Sequence, residues 1–287
     1  MNQIQWFPGH MAKARRQVEE KLKLVDIVYE LLDARIPIAS ANPMIQNIVK
    51  DKPRLVILNK SDLADNNETA KFIEYYENMG VPALGVNSLS GNMSTAILAK
   101  TKAILRELSE KEARKGMKPR PFRAMVLGIP NVGKSQFINH LAGKAKAKTG
   151  DTPGVTRMQT FLRGGNFLEL LDNPGILWPR FDGERVGMLL AMVGTIKADL
   201  IPLEAVADFG LSLLIDKYPD RLMNRYDLEA LSVDQRALFH KIGINRGCLL
   251  QGGGIDYDRV YKLFLHDLRN QLLGPMTFER ITDNVSL

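Results

Sequence analysis

The chain has 287 residues, 45% of them hydrophobic, enough for one large domain or two smaller ones. Its longest suitable apolar run, Val186–Ile196, lies between Arg185 and Lys197 and is too short for a bilayer span. The single cysteine, Cys248, excludes an internal disulfide and any multi-cysteine metal site, and the net charge of +7 favours a polyanionic partner.

Residues 1–23 read as a basic helical arm after Trp6-Phe7-Pro8-Gly9-His10, without the apolar stretch of a signal peptide. From Leu24, LVDIVYELLDAR predicts a buried strand that ends in the loop DARIPIASANP, and PRLVILNK predicts a second strand. DNNETAKFIEYYENMG has the acidic start and glycine stop of a helix, and VPALGVNS reads as a third strand. A helix through Ile97, Leu98, Ile104, Leu105 and Leu108 follows, then a charged, proline-ended stretch at 109–121 that reads as a solvated linker. FRAMVLG predicts a strand and KSQFINHLAG a helix, and past a polar loop MQTFLRG and NFLELLDNPG predict two more strands. This alternation implies an α/β domain over 24–180, a mostly parallel sheet with helices on both faces. From about Gly183 the apolar spacing turns helical, as in LEAVADFGLSLLIDKYP, so 181–287 reads as a separate all-helical domain.

GIPNVGKS fits the phosphate-loop pattern G-x-x-x-x-G-K-[ST] through Gly128, Gly133, Lys134 and Ser135. The glycines let successive N–H groups face phosphates, and the following helix adds its positive end. Asn131, Val132 and Gln136 complete the predicted nucleotide-binding stretch. Lys134 is expected to bridge the outer phosphates during hydrolysis, and Ser135 to give Mg²⁺ one ligand.

Asn59-Lys60-Ser61-Asp62 follows the strand LVIL. A carboxylate at Asp62 pairs with the N1–H and 2-amino group of guanine, whereas adenine would leave it unpaired. Asn59 can secure the loop, and the Lys60 stem can lie over the ring. Asn87 and Ser88, in NSLSG after the third strand, can bring backbone contacts to the base. Asp172 in DNPG can hold Mg²⁺ through water, and the Gly175 N–H can sense a γ-phosphate. Thr156 in DTPGVTR can complete the Mg²⁺ shell, with Thr152 the less suitable choice. Taken singly, NKSD is also an ordinary Asn-Lys turn, NSLSG carries little weight, and DTPGVTR and DNPG are also what Pro-Gly turns look like.

The motif order NKSD, NSLSG, GIPNVGKS, DTPGVTR, DNPG resembles the circularly permuted GTPases. The opening WFPGHMAKA, the segment LLDARIPIASANP and the helical tail narrow the resemblance to the YlqF/RbgA family, ribosome biogenesis GTPase A, over essentially the whole chain. The resemblance implies a cytoplasmic bacterial P-loop GTPase that matures the large ribosomal subunit, with rRNA and the precursor particle as partners and the particle as stimulator of hydrolysis. Alternatives are an RNA-binding scaffold with a weak or vestigial site, or a GTPase with another RNA target.

Ile176 stands after DNPG, where many GTPases carry a water-orienting glutamine, so another group must do that work. Of the four histidines, the resemblance points to His10 as catalytic. In related GTPases an asparagine at the place of Asn131 helps bind K⁺; a turn-stabilising role is the other reading. Basic residues cluster in the arm (Lys13, Arg15, Arg16), in the linker (Lys111, Arg114, Lys115), at Lys144, Lys146 and Lys148, and in the helical domain. They suit phosphate-backbone contact without base readout. No membrane partner is expected, and the free protein is expected to be a monomer.

Overall fold

The computed structural model describes residue 16 and residues 18–49, 52–90, 93–143, 161–164, 166–171, 183–196 and 201–282. Expectations placed on His10, on Lys144, Lys146 and Lys148, and on Thr152, Thr156, Asp172 and Gly175 lie outside the described residues.

Six strands form one sheet: β1 (Ile27–Asp33), β2 (Arg54–Asn59), β3 (Ala83–Val86), β4 (Phe122–Gly128), β5 (Phe161–Gly164) and β6 (Leu168–Leu171). Their order is β3-β2-β1-β4-β6-β5, parallel throughout except for the β5–β6 pair. Every residue of β1 is buried, as a central strand covered on both faces requires. The register sets Asp33 beside Asn59, Asn59 beside Val86 and Leu31 beside Gly128. The loops after β1, β2, β3 and β4 therefore leave the same edge of the sheet.

Helices α1 (Pro43–Val49), α2 (Asn66–Asn78), α3 (Met93–Ile104), α4 (Arg106–Arg114) and α5 (Lys134–Ala142) accompany the strands. Helix α2 starts at Asp65, whose carboxylate accepts the N–H groups of Asn67 and Glu68. One core cluster joins Val28, Met125, Leu127 and Leu171 to Ile45 and Val49 of α1. Another joins Leu32, Val56 and Leu58 to Phe72 and Tyr76 of α2.

Two segments differ from the sequence expectation. Val18, Leu22 and Val25 are buried in the first cluster, so the end of the basic arm is part of the core. Each such side chain contributes about 1.5–3 kcal/mol of burial. Helix α4 occupies the first half of the expected linker, supported by Glu110 between Arg106 (3.8 Å) and Arg114 (3.6 Å) one turn either way. Beyond it, Arg120 donates to both carboxylate oxygens of Asp26 (2.8 and 2.9 Å) and to Glu112 (2.7 Å), which ties the exposed chain to the start of β1.

The chain divides into two compact units, Phe181–Phe278 and the remainder. Residues Glu279–Leu287 fall with the sheet unit, although the sequence expectation gave the helical domain all of 181–287. The second unit contains α6 (Glu184–Met192), α7 (Leu203–Lys217), α8 (Pro219–Tyr226), α9 (Gln235–Asn245) and α10 (Tyr257–Arg269). Its interior is aromatic: Phe239 meets Phe264 and Tyr261 edge-on at 5.4 and 4.9 Å. Among the described residues, no helix is long and apolar enough to cross a membrane.

Candidate nucleotide-binding site

The loop after β4 curls into the phosphate-loop shape. Asn131 (φ 57°) and Gly133 (φ 99°) both adopt left-handed backbone, and Gly133 caps α5. At Gly133 conformation is only half of the requirement. A Cβ there would stand 2.4 Å from Asn59 Nδ2, so the loop glycine also makes room for the NKSD asparagine. The Lys134 ammonium is buried and donates to the carbonyls of Ile129 (2.8 Å) and Gly128 (3.3 Å). Ser135 is half-buried in the first turn of α5, and Gln136 beside it is exposed.

The NKSD turn is built against this loop. Asn59 is buried; its amide donates to Val132 O (2.7 Å), and its Oδ1 accepts from Ser88 Oγ (2.6 Å). One side chain thus joins the phosphate loop, the NKSD turn and the loop after β3. Lys60 is also left-handed (φ 60°), and its ammonium donates to Asn131 O (2.9 Å) and to Asp33 Oδ2 (3.0 Å). Asp62 lies in the short 3₁₀ turn Ser61–Leu63. Asn59, Lys60, Asp62, Asn87, Ser88 and Gln136 line a cavity of about 190 Å³, with Leu63 and Leu89 as apolar walls. The Asn87 carboxamide accepts the Leu89 N–H (2.8 Å), which shapes the turn beside that cavity.

Asp33 and Arg35 were not singled out from sequence, though DAR lay in plain view. Arg35 grips Asp33 with Nε on Oδ1 (2.9 Å) and a second guanidinium nitrogen on Oδ2 (2.8 Å), and both residues are almost fully buried. Burial alone would raise the Asp33 carboxyl, but Arg35 and Lys60 beside it hold it well below the usual carboxylate range. Burial works against the Arg35 charge, yet Asp33, with a smaller contribution from Asp62, keeps its pKa raised. The Lys60 that lines the cavity is therefore held by an Asp33 carboxyl kept ionised near neutrality.

A larger groove of about 520 Å³, lined by Lys52, Pro53, Arg54 and Pro82, lies at the opposite end of β2 and β3 and contains none of the motif residues. The donor set at the first edge suits a guanine nucleotide: a phosphate-loop pattern whose glycines have no room for a Cβ, a buried lysine, and a carboxylate at a base-sized cavity. The site is composite because NKSD, 69 residues ahead of the phosphate loop in sequence (59 against 128), sits beside it in space.

Comparison with known proteins agrees with this order. A family described as 50S ribosome-binding GTPase matches residues 123–231, beginning at the strand that leads into the phosphate loop and leaving NKSD upstream of the match. A ribosome biogenesis GTPase A from Bacillus licheniformis is 53% identical over 98% of this chain and 99% of its own. GNP-bound YlqF from T. maritima superposes with a TM-score of 0.62 at 27% identity, over 93% of this chain and 98% of that one. A GDP-bound TM YlqF structure gives 0.66 at 26% identity, over 93% and 100%. With likeness over the whole length and the NKSD turn seated on a phosphate loop that follows it in sequence, the chain belongs to the ribosome biogenesis GTPase A family, circularly permuted GTPases that hydrolyse GTP in ribosome assembly.

Proposed function

We propose that GTP favours a form bound to the precursor of the large ribosomal subunit, and that hydrolysis releases the protein and promotes late maturation. The observation that carries this reading is the interlock of Asn59 with Val132 and Gly133. A vestigial site has no need of a glycine that clears the base reader's amide. The matched family's description, a 50S ribosome-binding GTPase, supports the choice of subunit. The test is multiple-turnover GTP hydrolysis with and without large-subunit precursor particles. The particle is expected to raise turnover; a rate indifferent to it would sink the reading.

Ser135, with Thr156 and Asp172, would hold Mg²⁺, and the Gly175 N–H would sense the γ-phosphate. When bound, the metal supplies positive charge to the β- and γ-phosphate oxygens. Lys134 adds a positioned cation within the loop. Asn131 is the candidate K⁺ ligand, although its left-handed backbone already gives it a turn role. Equal rates in K⁺ and Na⁺ would remove the ion from the scheme.

The Ile176 side chain cannot orient water, so His10 is assigned that work, with His10→Ala expected to abolish particle-stimulated turnover. Asp62 is assigned to guanine recognition. Asp62→Asn should move preference toward xanthosine nucleotides, and retained GTP selectivity in a competition assay would refute the assignment. The basic clusters are assigned to rRNA phosphates, in a cytoplasmic protein that is monomeric when free.

A further inference from the structure

Asp33 ends β1 and Arg35 lies in the loop that follows, where the backbone donors from Ala34 to Ala41 can be accounted for one by one. Ala34 N–H donates to Asn59 O (2.9 Å), Arg35 N–H to Asp33 Oδ1 (3.1 Å) and Ile36 N–H to Asp33 O (2.9 Å). Pro37 has no donor. Ser40 N–H donates to Ile36 O (2.9 Å) and Ala41 N–H to Ile38 O (3.0 Å). The remaining two, from Ile38 and Ala39, converge on a carboxylate from far along the chain. Ile38 N–H donates to Glu279 Oε2 (2.7 Å), and Ala39 N–H donates to Oε1 (3.0 Å) and Oε2 (3.1 Å). Glu279 is 4% exposed, so these charge-assisted bonds form out of water, where they are strong and where their loss is costly.

From there the connections run to the nucleotide site. Ser40 Oγ accepts the Asp33 N–H (3.0 Å). The Asp33 carboxylate holds Lys60, and Lys60 holds Asn131 O of the phosphate loop. We infer that Glu279 is a positioning residue for guanine-nucleotide binding: its carboxylate fixes the Ile38–Ser40 turn, the turn orients Asp33, and Asp33 aims Lys60. No motif contains Glu279, and it lies past the helical unit in sequence.

The test is a double-mutant cycle on GDP affinity, using full-length protein and a fluorescent GDP, with thermal unfolding in parallel. Glu279→Ala is expected to weaken GDP binding roughly three- to tenfold, the equivalent of about one net hydrogen bond. Glu279→Gln should weaken it less, because one amide oxygen can still accept. In a Lys60→Ala background, Glu279→Ala should add less than about twofold, since the two act through one path. Independent, multiplying effects would make Glu279 a general staple and overturn the inference, as would unchanged GDP affinity in a folded Glu279→Ala protein. If Glu279→Ala does not fold, the Gln variant is run through the same cycle. The inference rests on Lys60 serving the base. Unchanged affinity in Lys60→Ala alone would defeat both readings, whereas a weakened Lys60→Ala with unaffected Glu279 variants would defeat only this one.

Discussion

Around Asn59 and Asp33 the interior is held by hydrogen bonds and ion pairs: Asn59 with Val132 and Ser88, Asp33 with Arg35 and Lys60, Glu279 with Ile38 and Ala39. Around Phe264 the interior is held by rings, Phe239 edge-on at 5.4 Å and Tyr226 tilted at 6.1 Å, with Arg225 and Asp267 as one charged pair (2.8 Å) nearby. Both regions exclude water, but they solve different problems. Rings contribute free energy with loose directional demands. Buried ion pairs give little net stability, yet they have few geometries in which every donor is met. The corner around Asn59 and Asp33 uses the second kind of interaction, as a site that must hold atoms at fixed distances from a ligand would require. Damage to it should therefore appear in affinity, with stability lost as well where a buried charge is left unpaired, and damage to the aromatic unit in stability alone.

Three substitutions sharpen that contrast, ranked by their effect on GDP affinity. Gly133→Ala should act most strongly: left-handed backbone and a Cβ 2.4 Å from Asn59 Nδ2 should cost more than about a hundredfold in binding, read by calorimetric titration. Affinity within tenfold of the parent would mean that the two loops are not interlocked.

Asp33→Asn should cost roughly tenfold in GDP affinity through Lys60, and also about 3–5 kcal/mol of stability, because it leaves buried Arg35 facing a neutral amide. The pH dependence follows from the depressed carboxyl. A group whose folded pKa is lowered stabilises fully above its unfolded value and loses that contribution as pH falls through the folded one. The stability gap between parent and variant should thus be constant near neutrality and narrow below about pH 3.9, measured by denaturant unfolding across pH. A gap that persists through strong acid would remove the ion pair as its cause.

Phe264→Ala should cost the helical unit about 3–5 kcal/mol, seen in hydrogen exchange over α7 to α10, while GDP affinity stays within about twofold. A large affinity loss there would erase the distinction between the regions.

The same contrast governs what could be read from the sequence. Strands β1, β2 and β4 announce themselves as β-branched and aliphatic runs, and the phosphate loop as a glycine-lysine pattern that few other sites share. Helix α1 does not, because Pro43–Val49 is seven residues long in a stretch rich in Pro, Ser and Asn, and tertiary burial of Ile45 and Val49 makes the helix. Helix α4 was hidden for the opposite reason. It is charged with no buried residue, so its pattern looks like solvated chain even though its own i,i+4 pairs support it. Val18 and Leu22 were masked by the basic residues around them. In the site, the residue types of NKSD and GIPNVGKS were visible, but the contacts among them depend on which loops share a sheet edge. Asp33 and Arg35 stood in a recognisable segment with no assigned work. Glu279 left no local trace at all, since its partners precede it by 240 and 241 positions.

The placement of Glu279 also bears on the order in which the protein becomes able to bind. A chain is synthesised from its N-terminus and its domains begin to fold as they emerge. Asp33, Lys60 and Asn59 are made first, the phosphate loop that seats them much later, and the carboxylate that secures the Ile38–Ser40 turn only after the entire helical unit. A growing chain can thus assemble most of the sheet while the corner around Asp33 and Lys60 still lacks its final tie. If Glu279 positions the site as proposed, full nucleotide affinity is expected only of the nearly finished polypeptide.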